Sequence, residues 1–545
     1  MLAKPWYKSW PAGVPKQLYY THCITGAISC QAKKNPSLPA INYYGRVITY
    51  RELEQLTDRF AASLSDRGVN KGDRICLYME NCPQFIIAML GGWKAGAVMV
   101  PANPMLLGDE LVYQLADAGV ETLVMQDDLF PIFDAVSRRT SVKNVIITER
   151  TDFLPFVPDL PPHRTMVTEA VDAFGAMSFM EMLFQGGKDC KMNEPALDDL
   201  ALLQYTAGTT GLPKGAMITH RNLLSNTAGS AAWLGVRSGD VHLAVLPLFE
   251  VTGLVHSMAM PFYTCGTIVL LARYDTETVL GAVEKNRCTH WVSVATMNIA
   301  VVNYPNVHKY DLSSLRVCFS GGSPIPSEIL HGFRQITGAH LGEGYGLSET
   351  ISQVTINPLD KPRPGSVGIP VQQTDIKIVD IDDLENELPA GAEGELLVKG
   401  PQVMRGYWNR PAETDRALRD GWLATGDVAR LDDDGYVYIV GRKKELIKPS
   451  GFIIFPREVE NFLYEHPAVA EAVVVGIPDS YRVETVKAYV VLRQEYAGII
   501  TEQDIIGWAR KKMAAYKYPR VVEFVNELPH MGTGRVNRRI LSESR

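Results

Sequence analysis

The sequence predicts an α/β protein: a large N-terminal domain of layered, mostly parallel sheets with a small antiparallel subdomain, then a small α+β C-terminal domain. Three observations predict it. From Asp73 to Ser320, short apolar runs alternate with helical patterns at βαβ spacing, which calls for parallel sheets covered on both faces. Between 375 and 445 the chain turns to short strands joined by Asp/Gly turns, the habit of an antiparallel unit. Beyond Gly441-Arg-Lys-Lys-Glu445 it reads as helix 456–465, strand 469–475, strand 486–493 and helix 502–515. At 545 residues the chain is too long for one core.

Taken in order, residues 1–45 read as irregular, rich in Pro and aromatics. Thr49-Tyr-Arg-Glu52 opens a helix with a capping box, and apolar spacing carries it to Leu64. Strand Asp73–Tyr78, helix Pro83–Gly92, strand Ala97–Pro101, helix Asp109–Ala118 and strand Thr122–Met125 follow. The Pro-rich span 150–197 reads as loop. Alternation resumes with strands at Val241–Leu246, Thr267–Leu271, His290–Val294 and Val317–Ser320.

Composition narrows the function. A hydrophobic share of 46% and a charged share of 21% are those of an ordinary globular protein. A net charge of −7 argues against a nucleic-acid partner. The eight cysteines, at 23, 30, 76, 82, 190, 265, 288 and 318, form no Cys-x-x-Cys pair. They read as small apolar residues in a reducing, cytoplasmic setting. The N-terminus does not read as a secretory signal. The longest apolar stretch, Phe85 to Val100, is broken by Gly91, Gly92, Lys94 and Gly96, so no membrane span is expected, while peripheral contact with a membrane stays open.

The chemistry centres on Tyr205-Thr-Ala-Gly-Thr-Thr-Gly-Leu-Pro-Lys-Gly-Ala-Met217, which follows the apolar run Leu200-Ala-Leu-Leu203. Gly208, Gly211 and Gly215 let backbone approach a ligand, while Thr206, Thr209 and Thr210 bring hydroxyls and Lys214 a cation. Backbone amides, hydroxyls and one ammonium suit a polyphosphate. The loop is not a Walker A motif, because Gly215 follows Lys214 where Ser or Thr is needed. Ser320-Gly-Gly-Ser-Pro-Ile-Pro326 ends an apolar strand and suits backbone contact with a flat ring, or a plain tight turn. Gly342-Glu-Gly-Tyr-Gly-Leu-Ser-Glu349 sets an aromatic among glycines ahead of a carboxylate able to hold Mg²⁺. Trp422-Leu-Ala-Thr-Gly-Asp-Val428 offers Asp427 to vicinal hydroxyls.

In this order these motifs, with Thr219-His-Arg-Asn222 and the run to Arg442, resemble the acyl-adenylate-forming superfamily of acyl-CoA synthetases, peptide-synthetase adenylation domains and beetle luciferases. The resemblance covers nearly the whole chain. It implies an AMP-forming acid–CoA ligase using ATP, Mg²⁺ and coenzyme A. It implies that Gly321, Gly322, Ser323, Gly344, Tyr345 and Gly346 border adenine, that Ser348 contacts phosphate, and that Glu349 holds the metal. Asp427 and Arg442 fall to ribose or phosphate. The hinge falls at Lys444, giving domains 1–443 and 444–545, the second mobile. Lys448 falls to thioester formation, with Ser450, Gly451 and Phe452 beside the pantetheine tunnel. Phe249, Glu250, Val251, Gly253 and Leu254 match the acyl-pocket segment. Acetyl-specific relatives carry Trp where this chain has Gly346, so the expected acid is larger than acetate, unless Gly346 is turn chemistry.

Two positions depart from the pattern. Glu250 stands where relatives commonly have His, and a carboxylate there would repel an acid unless turned away, paired or protonated. Arg535 stands where the signature has Lys, which bridges the acid and the α-phosphate. Arg keeps the charge with a broader, bidentate head. The catalytic set expected is thus Thr206, Glu349, Lys448 and Arg535, with His220 structural. Transfer to a carrier protein, a mainly ATP-forming direction, and an AMP-binding pseudoenzyme remain alternatives. A monomer or homodimer fits equally.

Overall fold

The computed structural model describes residues 4–20, 22–166, 171, 173–185, 195–206, 212–322, 325–447, 449, 454–479, 483–529 and 536–543. The chain divides into two compact units, 1–375 with 398–423, and 376–397 with 424–545.

The first unit holds two large sheets. One runs in the order Met177–Ser178, Asn144–Thr148, Thr122–Gln126, Arg74–Tyr78, Val98–Ala102, Leu200–Thr206, Lys214–Thr219. Its neighbouring strands pair parallel except the last two, where Leu200–Thr206 and Lys214–Thr219 form an antiparallel hairpin. The other runs Ile369–Pro370, Ser352–Ile356, His340–Leu347, Val317–Gly321, His290–Val294, Val241–Ala244, Thr267–Leu270, Pro39–Tyr43, Arg46–Thr49. Its middle is parallel and its two ends turn antiparallel.

Helix Pro83–Lys94 shows why the first unit is well filled. Each of its 12 residues is buried, as an all-round apolar helix must be. It is the stretch nearest in composition to a membrane span. Among the described residues no helix is long and apolar enough to cross a membrane. Its one cation, Lys94, is neutralised by Glu54 at 2.8 Å and Asp58 at 2.6 Å. A second buried ionic group joins the two sheets: Glu80, past strand Arg74–Tyr78, takes Arg150 on one side and Arg273 on the other.

Three sequence expectations are corrected. Residues 1–45 are not irregular, since helix Ile24–Lys34 and strand Pro39–Tyr43 lie there and the strand pairs in register with Thr267–Leu270. Five residues of Pro-Ala-Ile-Asn-Tyr carry too little period to announce a strand, and tertiary pairing decides it. The span 150–197 holds helix Phe179–Gln185. The helix opened by Thr49 runs Tyr50–Asp66 and Thr49 accepts from the Glu52 amide, but the Glu52 carboxylate turns to Arg46 rather than closing the box. Five cysteines, 23, 76, 82, 288 and 318, are buried, whereas Cys30 is exposed and Cys265 half-exposed.

The second unit combines two parts. The first part is a sheet of strands Asp375–Val379, Gly394–Lys399, Trp422–Leu431 and Val437–Arg442, most of whose residues fall in this unit, with the last two paired antiparallel. The C-terminal part is a sheet of Val469–Asp479, Val483–Leu492 and Val521–Phe524, covered by helices Pro456–Tyr464 and Glu502–Lys512. The final strand pairs parallel to its neighbour, a non-local pairing that strand patterning did not suggest. Arg538 grips Glu460 with both guanidinium nitrogens, at 2.6 and 2.8 Å, and so ties the chain's end to helix Pro456–Tyr464.

Candidate active site

In the first unit the hairpin sets Thr206 and Lys214 opposite each other at the two stems of the predicted phosphate loop. Thr209 and Thr210 lie outside the described residues, as do Ser323, Lys448, Ser450, Gly451, Phe452 and Arg535. Both stems are braced from helix Gly108–Ala118. Asp117 accepts from the Tyr205 hydroxyl at 2.7 Å and pairs with Arg410, and the Tyr113 hydroxyl donates to the Pro213 carbonyl at 2.8 Å. Burial first, then Asp117, pushes the Tyr205 phenol well above its ordinary range, so it stays a donor.

A segment with no local sequence signal runs along this hairpin. Residues 404–408 run beside strand Lys214–Thr219: the Met217 amide donates to Gly406 at 2.8 Å and the Trp408 amide to Gly215 at 2.8 Å. The Met404 amide donates to the Glu349 carbonyl, also at 2.8 Å. Between these anchors stands Tyr407. Its hydroxyl donates to Glu349 Oε1 at 2.8 Å, and the Lys214 ammonium lies 4.6 Å from its ring centroid. Burial and the Glu349 carboxylate push the Tyr407 phenol upward, which keeps it protonated. The signal in Arg405-Gly-Tyr-Trp408 is only an aromatic after a glycine, and the topology alone brings it to Lys214 and Glu349.

Glu349 lies in a 3₁₀ turn, Ser348–Thr350, after strand His340–Leu347, which carries Tyr345. A magnesium ion needs one or two carboxylates and otherwise takes water and phosphate oxygens. Glu349, with one oxygen already oriented by Tyr407, fits that donor set. Among the described residues no cluster of three or more metal-ligating side chains occurs, so the fit is to a cation carried with a polyphosphate rather than to an all-protein cage.

The glycines of this strand serve packing. A Cβ on Gly344 would meet Phe319 Cζ at 2.5 Å and the Thr355 carbonyl at 2.7 Å. One on Gly346 would fall 1.4 Å from the Ser352 carbonyl oxygen, at the bulge between Tyr345 and Gly346. Gly321 ends its strand with open space around its Cβ position, and Gly322 takes φ +84°. Gly321 is half-buried and Gly322 exposed.

In the segment expected to line the acyl pocket, Phe249, Glu250 and Val251 are half-buried, while Gly253 and Leu254 are buried and begin a π-helix, Gly253–Ala259. Single π-turns recur at functional sites. A Cβ on Gly253 would meet the Pro247 carbonyl at 2.1 Å, so glycine lets this turn close. His256 in the π-helix lies 3.0 Å from Ser352 Oγ and burial holds its imidazole down to about 4. His220 sits buried against Trp93, and burial likewise brings it to about 4. Both are neutral and enclosed, which suits structure rather than proton transfer.

In the second unit Asp427 is buried, follows Gly426 at φ +71°, and stands in register with Arg442, whose Nε lies 3.3 Å from its carboxylate. Lys443 is anchored by Glu395 at 2.8 Å and by the Ile381 carbonyl, while Lys444 is exposed.

Comparison with known proteins shows the family. The AMP-binding enzyme family matches residues 28–408, and the AMP-binding enzyme C-terminal domain matches 458–535. A long-chain-fatty-acid–CoA ligase of Bacillus subtilis is 39% identical over 553 residues, covering 99% of this chain and 98% of its own length. A feruloyl-CoA synthase of Amycolatopsis is 34% identical, covering 93% of this chain and 96% of its own. Among solved structures, an anthranilate CoA ligase in complex with anthranoyl-AMP superposes with a TM-score of 0.83 at 26% identity, covering 96% of this chain and 97% of that one.

Proposed function

The chain belongs to the AMP-binding enzyme family and is an AMP-forming acid–CoA ligase, and from that premise we propose the acid it takes and the residues that act on it. The acid is a carboxylic acid larger than acetate: a medium or long fatty acid, or an aromatic or alicyclic carboxylate. The 39% identity with a long-chain-fatty-acid–CoA ligase across the whole chain carries this reading. The apolar Phe249, Val251 and Leu254 support it.

In the first half-reaction a carboxylate oxygen attacks the α-phosphate of ATP. A P–O bond forms, the bond to pyrophosphate breaks, and acyl-AMP results. In the second the CoA thiol attacks the acyl carbon, the thioester forms and AMP leaves, the thiol proton passing to solvent. Neither step needs a protein nucleophile, so the site works by positioning and charge compensation. Thr206, Thr209, Thr210, Lys214 and Ser348 hold the phosphates. Tyr345 lies along adenine with Gly321, Gly322, Ser323, Gly344 and Gly346 beside it. Asp427 and Arg442 take the ribose. Glu349 would hold Mg²⁺, which when bound neutralises charge on the phosphates. Arg535 bridges carboxylate and α-phosphate at some loss in rate relative to Lys, and is immune to lysine acetylation. Loss of activity on acetyltransferase treatment would contradict that immunity. Lys444 is the hinge between domains 1–443 and 444–545, and Lys448 with Ser450, Gly451 and Phe452 serves thioester formation. The setting is cytoplasmic.

Acid-dependent exchange of labelled pyrophosphate into ATP tests the first half-reaction. Exchange with decanoate, palmitate or benzoate is expected. Tight AMP binding without exchange on any acid would instead mark a pseudoenzyme.

A further inference from the structure

We propose that Tyr407 is a positioning residue that orients Glu349 for the metal and seats Lys214 for the phosphates, so that metal and nucleotide binding are coupled through one side chain. This rests on the roles assigned above to Glu349 and Lys214. Three observations carry it. The Tyr407 hydroxyl donates to one Glu349 oxygen at 2.8 Å, which fixes the carboxylate and leaves its other oxygen for a cation. The Lys214 ammonium sits 4.6 Å from the centre of the same ring, within cation–π range, so the aromatic face holds the charge at the stem of the loop. The backbone around Tyr407 is fixed on both sides, by Gly406 accepting from Met217, by Trp408 donating to Gly215 and by Met404 donating to the Glu349 carbonyl. The Tyr407 amide itself donates to Thr414 Oγ1 at 2.9 Å. A side chain so held arrives at its two partners with little freedom left to lose. Groups that orient a metal-binding carboxylate typically carry 10–100-fold in metal affinity.

Two substitutions separate the two contacts. Tyr407→Phe keeps the ring under Lys214 and removes the hydrogen bond to Glu349. Tyr407→Leu removes both. The experiment is calorimetric titration of ATP into the full-length protein without any carboxylic acid, once with excess Mg²⁺ and once with EDTA. The readout is the ratio of the two dissociation constants within each protein, which does not depend on how much of a variant is folded. For Tyr407→Phe the Mg²⁺ enhancement of ATP binding falls about tenfold, with metal-free affinity unchanged. Tyr407→Leu loses the enhancement and also weakens metal-free binding several-fold. Glu349→Gln serves as reference and loses the enhancement outright. A Tyr407→Phe protein with the wild-type ratio, beside a Glu349→Gln protein that has lost it, overturns the role of Tyr407 alone. A wild-type ratio in Glu349→Gln overturns the metal assignment and this inference with it.

Discussion

Gly346 decides between two explanations of one residue, and Gly346→Ala separates them. If the glycine exists to leave room in an acyl pocket, a methyl group should fold well and trim the largest acids. The structure predicts otherwise. The added Cβ falls 1.4 Å from the Ser352 carbonyl oxygen and 2.3 Å from its carbon, both backbone atoms that cannot swing aside. Ser352 must therefore move by more than an ångström. It is poorly placed to do so: it takes φ +91° after Ile351 at φ +42°, its carbonyl accepts from Thr350 Oγ1 at 3.1 Å, and its hydroxyl meets His256. Losing those two hydrogen bonds costs about 1 kcal/mol each, and the overpacking adds about 1–3 kcal/mol. The sum is ~3–5 kcal/mol, which at about 1 °C per kcal/mol for a cooperative unit of this size lowers the melting midpoint by about 3–5 °C. The assay is thermal unfolding of the variant, with the acid-length profile of the surviving enzyme beside it. An unchanged midpoint with a shortened profile would refute the packing argument and restore the pocket wall.

Four buried histidines make stability sensitive to acid. Burial holds His220, His256 and His290 near 4 and His242 well below its ordinary range, against about 6.5 when unfolded. The fold keeps them neutral and unfolding lets them take protons, so their contribution is complete above about pH 6.5 and is lost toward pH 4, at ~1.4 kcal/mol per pH unit for each. Urea melts showing equal stability at about pH 7 and pH 5 would contradict this. Arg150→Met leaves Asp128 and half of Glu80 without their cation in a buried site, and is expected to cost about 3 kcal/mol in chemical denaturation. Arg535→Lys is expected to speed pyrophosphate exchange about tenfold, ~1.4 kcal/mol off the barrier, with thermal stability unchanged.

The parallel strands were legible because buried strands are continuous apolar runs, as in Ile75-Cys-Leu-Tyr78; strand Leu200–Thr206 was legible from its apolar run, but its antiparallel return through Lys214–Thr219 was not. Pro39–Tyr43 was not legible, since its identity as a strand comes from a partner more than 200 residues away. Tyr407 escaped for the same reason: nothing local in Gly406-Tyr407 announces Lys214 or Glu349, and only the alignment of 404–408 against the hairpin joins them. For Gly346 the sequence left pocket room and turn chemistry both open, and the close Ser352 carbonyl behind it, a partner in the next strand, could not be read from the local sequence. His220 was expected to be structural because the chemistry asks for no base, and it lies buried against Trp93 just after the capping Thr219, a cap the sequence had not announced.

The most direct test of the central claim is mass-spectrometric detection of acyl-CoA and AMP from ATP, CoA and a panel of acetate, hexanoate, decanoate, palmitate, benzoate and cyclohexanecarboxylate. One or more of the larger acids should yield thioester and AMP in equal amounts, with acetate inert. Thioester from acetate in preference to every larger acid, or AMP binding with no thioester from any, would contradict it.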